Sequence, residues 1–176
     1  VLSFHLMRLL REGAVELMVG HLPAASEMAG LSFDHLYEEE VILTARAGHS
    51  GLGAPVAALL ERFPVILPPP TALIRPAVET YLASLGLAGL RPAVETVSLA
   101  VGRGLCLASD ALWFISGGVV ANELARGEMV QLATGRRFMS GPVGMTRRQA
   151  AQGAALAAFE TVAREVARRE YGAAHA

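Results

Sequence analysis

The sequence contains no lysine and one cysteine, and it has no long run of hydrophobic residues or of like charges. Because Cys106 has no cysteine partner, the chain can form neither an internal disulfide nor a cysteine-rich metal site. The net charge is −1, and the longest acidic run is Glu38 to Glu40. We therefore expect no surface that binds nucleic acid by charge alone. All 15 basic residues are arginine, which we interpret as a compositional bias of the genome.

Hydrophobic residues make up 53% of the 176 residues, which is enough for one core or for two small lobes. The longest apolar stretches, such as residues 65–72, are interrupted by proline and fall short of the roughly 18 residues that a membrane span needs. His5 and Arg8 stand where a signal peptide would have its apolar segment. We expect a soluble, cytoplasmic protein without membrane contact.

Short apolar segments alternate with amphipathic ones along the chain, and this alternation predicts an α/β protein. The segment AVELMVGHL, rich in Val, Leu and Met, predicts a buried parallel strand. Similar pieces recur in the second half, so we predict two α/β lobes. We assign residues 1–68 plus 137–176 to lobe I and residues 69–136 to lobe II.

Three prolines, Pro68 to Pro70, separate a predicted strand from a helix that is expected to open at Pro76. Proline fixes φ and favours extended backbone, so we predict a stiff crossing between the lobes here. Thr71 follows near a helix start, where free N–H groups favour an anion such as a carboxylate. In the alternative interpretation Thr71 only caps the helix, and Arg75 is a solvated or ion-paired surface residue.

Five histidines are present, but no two have the helical spacing of a metal site with a carboxylate between them, so no metal is predicted. We expect no cofactor either, because no complete dinucleotide fingerprint or phosphate loop occurs. His21 is predicted at the carboxyl end of a strand, where open α/β sheets bind ligands, or else it only turns the chain. Cys106 is expected to be a buried small hydrophobe rather than a nucleophile.

Two further strand ends carry polar or aromatic residues. Ser98 follows the segment AVETV, and WFISGGVV places Phe114 and Ser116 before two glycines that let a ligand approach the backbone. With Thr71 and His21, these residues could converge on one cleft. Hydroxyls, amides and one aromatic ring suit binding, whereas they do not form a set of acid, base and nucleophile.

The blocks LLREGAVELMVGHLP, YEEEVILTARAGH, FPVILPPPTALIRPAVETYLASLGL and GPVGMTRR occur in this order and together resemble the effector-binding domain of LysR-type transcriptional regulators. The pieces LPAASEMAGLSFDHLYEEEV, SDALWFISGGVVA and GPVGMTRR are similar to the subgroup that controls protocatechuate catabolism, and the galactose-type sugar-regulator subgroup is a neighbour. The resemblance implies a fold like type 2 periplasmic binding proteins, in which two crossing strands join two Rossmann-like lobes and the ligand lies in the cleft. It also implies that the first strand and helix of the family domain precede Val1.

This resemblance implies that Thr71, Ser98, Phe114 and Ser116 occupy matching cleft regions, and that Ser3 lies near a second polar contact. It predicts a sensor for a small anionic metabolite, such as an aromatic-pathway carboxylate, without enzymatic activity. DNA binding would require an amino-terminal winged helix-turn-helix outside this sequence, and the family forms dimers and tetramers.

Two other functions compete with the sensor. One is a periplasmic-type solute-binding protein of similar fold. The other is a small enzyme, an isomerase or lyase, for which His21 with Asp110 is the best available acid–base pair. Asp110 also fits a turn residue at the start of a strand.

Overall fold

The computed structural model describes residues 2–134, 140–151 and 153–172. The α-helices within these ranges are α1 (Leu2–Glu12), α2 (Val56–Arg62), α3 (Arg75–Ser84), α4 (Leu99–Ala108), α5 (Ala121–Ala125) and α6 (Ala154–Tyr171). The strands are β1 (Leu17–His21), β2 (Leu31–Arg46), β3 (Val65–Leu67), β4 (Val94–Glu95), β5 (Leu112–Ser116), β6 (Met129–Leu132) and β7 (Ser140–Arg148). Short 3₁₀ helices span Ala25–Glu27 and Gly117–Val120.

The chain divides into two compact units. The first unit comprises Val1–Glu39 and Gly141–Ala176, and the second comprises Glu40–Ser140. Strand β2 contributes its first half to the first unit and its second half to the second unit.

In the first unit, β7 lies between β1 and the first half of β2, and α1 packs its apolar side onto Met18 and Leu31. A Cβ atom at Gly144 of β7 would lie 2.3 Å from the backbone oxygen of Asp34, so only glycine allows this close approach to β2. Strand β1 was predicted to be parallel, but it pairs antiparallel with β7, with Val19 opposite Met145. A short apolar segment encodes burial but not the direction of its neighbour, so the prediction of a parallel strand was wrong.

In the second unit the strand order is β4-β3-β5-β2-β6. Strand β3 runs parallel to both β4 and β5, whereas β2 runs antiparallel to β5 and β6. Successive residues of β5 point to opposite faces of this sheet. Leu112 and Phe114 pack with α2 and α3, while Trp113 and Ile115 pack with Cys106 of α4 and with Val120. The second unit is therefore a sheet with helices on both faces.

The predicted lobe boundary between residues 68 and 69 lies inside the second unit. Leu67 before the three prolines and Val78 after them belong to the same core cluster. The chain enters the second unit within β2, at Glu40, and leaves it after Ser140. The three prolines therefore connect two parts of the second unit. The crossing that was predicted there lies instead in β2, which has 16 residues and takes part in both units.

Candidate functional site

The carboxyl ends of β3, β4 and β5 lie at one edge of the sheet of the second unit, because these strands are parallel. The predicted positions Thr71, Ser98 and Ser116 follow or end these three strands. The loop after β4 is joined directly to the end of β3, since the Thr96 amide donates to the Leu67 carbonyl at 3.1 Å. The second unit therefore gathers three predicted hydroxyl groups at the edge where open α/β sheets bind ligands.

Ser98 is the N-cap of α4. Its Oγ accepts a hydrogen bond from the Val101 amide at 3.4 Å, and its own amide donates to Thr96 Oγ1 at 2.9 Å. A hydroxyl group that accepts from an amide still has its own proton to donate. The exposed Ser98 hydroxyl can therefore donate a hydrogen bond to an anion while it caps the helix.

Thr71 is exposed in a turn in which the Ala72 amide donates to the Pro69 carbonyl at 2.9 Å. The N-cap of α3 is Ile74, which makes no side-chain cap bond. The interpretation of Thr71 as a helix cap was therefore wrong, because the helix opens too far along the chain. Within the ranges that the structure describes, the Thr71 hydroxyl makes no hydrogen bond, so it is available to a ligand.

Arg75 is buried, with 8% of the residue exposed, so the alternative interpretation was wrong about its exposure, whereas the ion pairing that it allowed is present, with Glu79 and Glu95. Its Nη1 donates to the Pro68 carbonyl and to Glu95 Oε1, both at 2.6 Å, and its Nε donates to Glu79 Oε1 at 2.8 Å. Burial lowers the pKa of Arg75, but the hydrogen bonds to Glu95 and Glu79 outweigh burial and raise the pKa overall. The guanidinium thus stays charged and links α3 to the ends of β3 and β4.

Phe114 was predicted as the aromatic contact of the ligand, but it is fully buried in the core. Its ring packs edge-on against Tyr81 of α3, with 6.1 Å between ring centroids. The alternation of β5 turns Phe114 towards α3, which gives it a packing role instead of the predicted contact. Ser116, the last residue of β5, is half-buried opposite Val41.

Two predicted positions lie in the first unit. His21 ends β1 opposite Val143, and its Nδ1 lies 3.5 Å from the place where a Cβ of Gly141 would stand. Since β1 pairs antiparallel with β7, the parallel-strand argument for a ligand at His21 no longer applies. Ser3 lies in the first turn of α1, and its side chain is outside the described part of the chain.

The acid–base pair of the enzyme alternative is weakened by the contacts of Asp110. Its carboxylate accepts from Ser50 Oγ at 2.6 Å and lies 2.6 Å from Arg46 Nη2. The hydrogen bond from Ser50, assisted by Arg46, lowers the pKa of Asp110. Asp110 thus carries an ionised, hydrogen-bonded carboxylate just before β5, which fits the alternative interpretation of Asp110 as a turn residue at the start of a strand.

His49 and Cys106 also have structural roles. His49 Nδ1 accepts from the Gly51 amide, so Nε2 carries the proton and donates to the Asp110 carbonyl at 3.1 Å. Cys106 is fully buried, and burial raises the pKa of its thiol to about 11. Among the described residues, no group of three His, Cys, Asp or Glu side chains could hold a metal ion.

Sequence reasoning missed two exposed apolar residues beside the candidate donors. Leu73 follows Thr71 in the same loop and is 55% exposed, and Val97 precedes Ser98 and is 75% exposed. Val97 stands between Thr96 and Ser98, and an apolar residue inside such a polar loop was the signal that could have revealed it, whereas Leu73 lies in the apolar run ALI and gave no such signal. Together they give this edge of the sheet apolar surface next to hydroxyl donors.

A cavity of about 480 Å³ lies elsewhere in the second unit, at the amino end of β3. Its lining includes Phe63, Leu87 and Leu90, with Glu61 and Arg91 as the charged residues. This cavity is open to solvent and lacks the hydroxyl groups that Thr71 and Ser98 provide at the other end of β3. We therefore place the candidate site at the carboxyl ends of the strands.

Residues 2–168 match the family model of the LysR substrate binding domain. The HTH-type transcriptional regulator PcaQ of Agrobacterium fabrum is 44% identical over 145 residues, covering 81% of this chain and 47% of that protein. The HTH-type transcriptional regulator GalR of Pseudomonas putida is 30% identical over 140 residues, covering 79% of this chain and 35% of that protein. The chain thus spans about half the length of PcaQ and less of GalR.

Solved structures show the same fold. The Synechocystis CcmR regulatory domain in complex with 2-PG has a TM-score of 0.76 and 15% identity, covering 95% of this chain and 80% of that one. The regulatory domain of CrgA from Neisseria meningitidis, a LysR-type transcriptional regulator, has a TM-score of 0.71 and 18% identity, covering 90% of this chain and 78% of that one. These likenesses confirm the predicted fold. In the ranges that the structure covers, no helix combines the length and apolar character needed to cross a membrane.

Proposed function

The chain belongs to the family of LysR substrate-binding domains, and we propose that it senses a small carboxylate metabolite on behalf of a transcriptional regulator. The observation that carries this proposal is the convergence of Thr71, Ser98 and Ser116 at the carboxyl ends of three parallel strands. The curated relatives are regulators, which favours this function over a solute-binding protein or an enzyme.

The chemistry of the donors supports a carboxylate with an apolar body. Thr71 and Ser98 offer neutral hydroxyl donors, and the nearby cation, Arg75, already pairs with two glutamates. Neutral donors can hold a single negative charge without the strong desolvation cost of a buried ion pair. Exposed Leu73 and Val97 provide apolar contact area, which suits an aromatic acid better than a sugar. The CcmR regulatory domain, which shares this fold, was solved in complex with 2-PG.

The regulatory effect follows from binding. A ligand shifts a conformational equilibrium only when it binds one state more tightly than the other. We propose that such a shift in the complete protein alters how an amino-terminal winged helix-turn-helix binds DNA in the cytoplasm. We also propose a homo-oligomer, because Val101 and Leu105 form an exposed apolar pair on α4 that a second copy can cover.

Two substitutions test the binding site without disturbing the fold. Thr71→Val removes one hydroxyl and keeps its shape, whereas Ser98→Asp keeps a helix-capping oxygen but adds a negative charge. Thr80→Val is the matched control, since the exposed Thr80 hydroxyl bonds the Pro76 carbonyl within α3. Aromatic acids and sugars are first screened by thermal shift, because a ligand that binds only the folded state raises its stability.

Calorimetry then measures the affinity of 4-hydroxybenzoate and 3,4-dihydroxybenzoate for each variant. We expect Thr71→Val and Ser98→Asp each to weaken binding about tenfold or more, since a hydrogen bond to a charged group contributes roughly 1.5–3 kcal/mol. Thr80→Val should bind like the wild type. If the acids bind all three variants equally well, the proposed site is wrong, and if only sugars bind, the proposed ligand class is wrong.

A further inference from the structure

We infer that Arg75 is a positioning residue that sets the spacing between the Thr71 and Ser98 donors by joining the ends of β3 and β4. This inference rests on the proposed function, because it concerns the same two donors. Arg75 acts through the loops and makes no ligand contact itself.

The contacts of Arg75 reach both loops at their origins. Nη1 donates at once to the carbonyl of Pro68, which follows β3, and to the carboxylate of Glu95, which ends β4. Thr71 stands three residues after Pro68, and Ser98 stands three residues after Glu95. With so little chain between anchor and donor, a displacement of either anchor moves its donor.

The guanidinium is occupied by these internal partners. It lies between two carboxylates, those of Glu79 and Glu95, and only 10% of its side chain is exposed. One cation shared by two anions leaves a local charge of −1, which does not attract a further anion. Arg75 therefore orients the neutral donors instead of pairing with the ligand.

The buried hydrogen bond from Arg75 to the Pro68 carbonyl is the contact that makes the junction of β3 and β4 rigid. Glu79 and Glu95 are 56% and 39% exposed, so their ion pairs alone contribute little. The Pro68 carbonyl, in contrast, is the acceptor of a buried hydrogen bond and would lose this donor without Arg75. A planar guanidinium can reach this carbonyl and both carboxylates, whereas a single lysine ammonium is a compact point charge.

Hydrogen exchange of the full 176-residue chain tests the inference in Arg75→Met, Arg75→Lys and a control, Arg46→Met. Arg46 lies 2.6 Å from Asp110 in the same unit, so its loss removes an ion pair away from the two loops. In Arg75→Met the Ala72 and Thr96 amides should exchange at least about tenfold faster, as local opening frees them. The Leu112 amide, bonded to Pro64 at the other end of β3, should keep its rate.

Arg75→Lys should lie between the wild type and Arg75→Met, because its ammonium keeps the charge and can donate hydrogen bonds but lacks the planar fork that reaches all three acceptors at once. Equal acceleration of all three amides in Arg75→Met, or the same pattern in Arg46→Met, would show a merely structural role and overturn the inference. Unchanged exchange at Ala72 and Thr96 would also overturn it.

The same variants are titrated with 4-hydroxybenzoate and 3,4-dihydroxybenzoate by calorimetry. We expect Arg75→Met to weaken binding about tenfold or more, which corresponds to misplaced donors, and Arg75→Lys to restore part of it. Unchanged affinity in Arg75→Met overturns the inference. If neither acid binds the wild type, the proposed class of ligand is wrong. The exchange rates of the Ala72 and Thr96 amides are measured without ligand, so they still decide the role of Arg75.

Discussion

An alanine at Gly102 should destabilise the second unit, whereas an alanine at Gly104 of the same helix should stabilise it. A Cβ atom at position 102 would lie 2.4 Å from Cζ2 and 2.6 Å from Cε2 of Trp113, which is buried under α4. At position 104 a Cβ atom would meet nothing within 4 Å. The two glycines therefore differ in packing while sharing one helical environment.

The expected magnitudes separate the two effects. Replacing glycine by alanine inside a helix contributes about 0.5–1 kcal/mol of stability at either site. Only Gly102→Ala must also displace a fixed indole ring, and such overpacking costs roughly 1–3 kcal/mol. Gly102→Ala should thus lower the free energy of unfolding by up to about 2 kcal/mol. The difference between the two variants, about 1–3 kcal/mol, measures the packing of α4 on Trp113 alone.

Urea denaturation measures this difference directly. Trp113 is the only tryptophan of the chain, so its fluorescence follows the unfolding of the second unit. Far-UV circular dichroism is the control, because Gly102→Ala changes the surroundings of the fluorophore itself. If both alanines stabilise the chain equally, the close packing of α4 on the sheet is refuted.

Two further predictions concern titratable groups. Because burial raises the pKa of Cys106 to about 11, the thiol should react with Ellman's reagent only after unfolding, and rapid labelling of the native chain would contradict its burial. The folded pKa of Asp110 is lowered, mainly by Ser50 and then by Arg46, so its carboxylate stabilises the fold above the unfolded pKa. This contribution is lost as the pH falls through the folded pKa, so Asp110→Asn should be less stable than the wild type near neutral pH and equal to it in strong acid. Urea titrations across this pH range measure the difference, and a gap that persists in acid would refute an electrostatic origin.

Most elements of the fold could be predicted because their signals are local. The segment ALWFISG became β5, and the alanine-rich carboxyl-terminal segment became α6, since hydrophobicity and residue type are read within a few residues. The first half of β2 could not be predicted in this way, because FDHLYEEE is polar on both faces and shows no alternation. Strand β7, with which it pairs, lies about a hundred residues further along the chain, so the residues around FDHLYEEE do not indicate this pairing.

The candidate site was predicted in part for a similar reason. Ser98 and Thr71 follow strand ends, and strand ends are readable from sequence. Phe114 is buried because helices cover both faces of the sheet at β5, and this cover forms only when elements that are distant in sequence pack together. The internal role of Arg75 depends in the same way on Glu95, which is distant in sequence but adjacent once β3 and β4 align.

The most direct test of ligand binding at the carboxyl ends of β3, β4 and β5 is a two-dimensional NMR titration of the chain with 3,4-dihydroxybenzoate. We expect saturable shifts that are largest for the amides of residues 71–74 and 96–99, and we expect Ser98→Asp to need at least about tenfold more ligand for the same shifts. Shifts confined to the cavity beside Phe63 and Leu87 would contradict this location of the site.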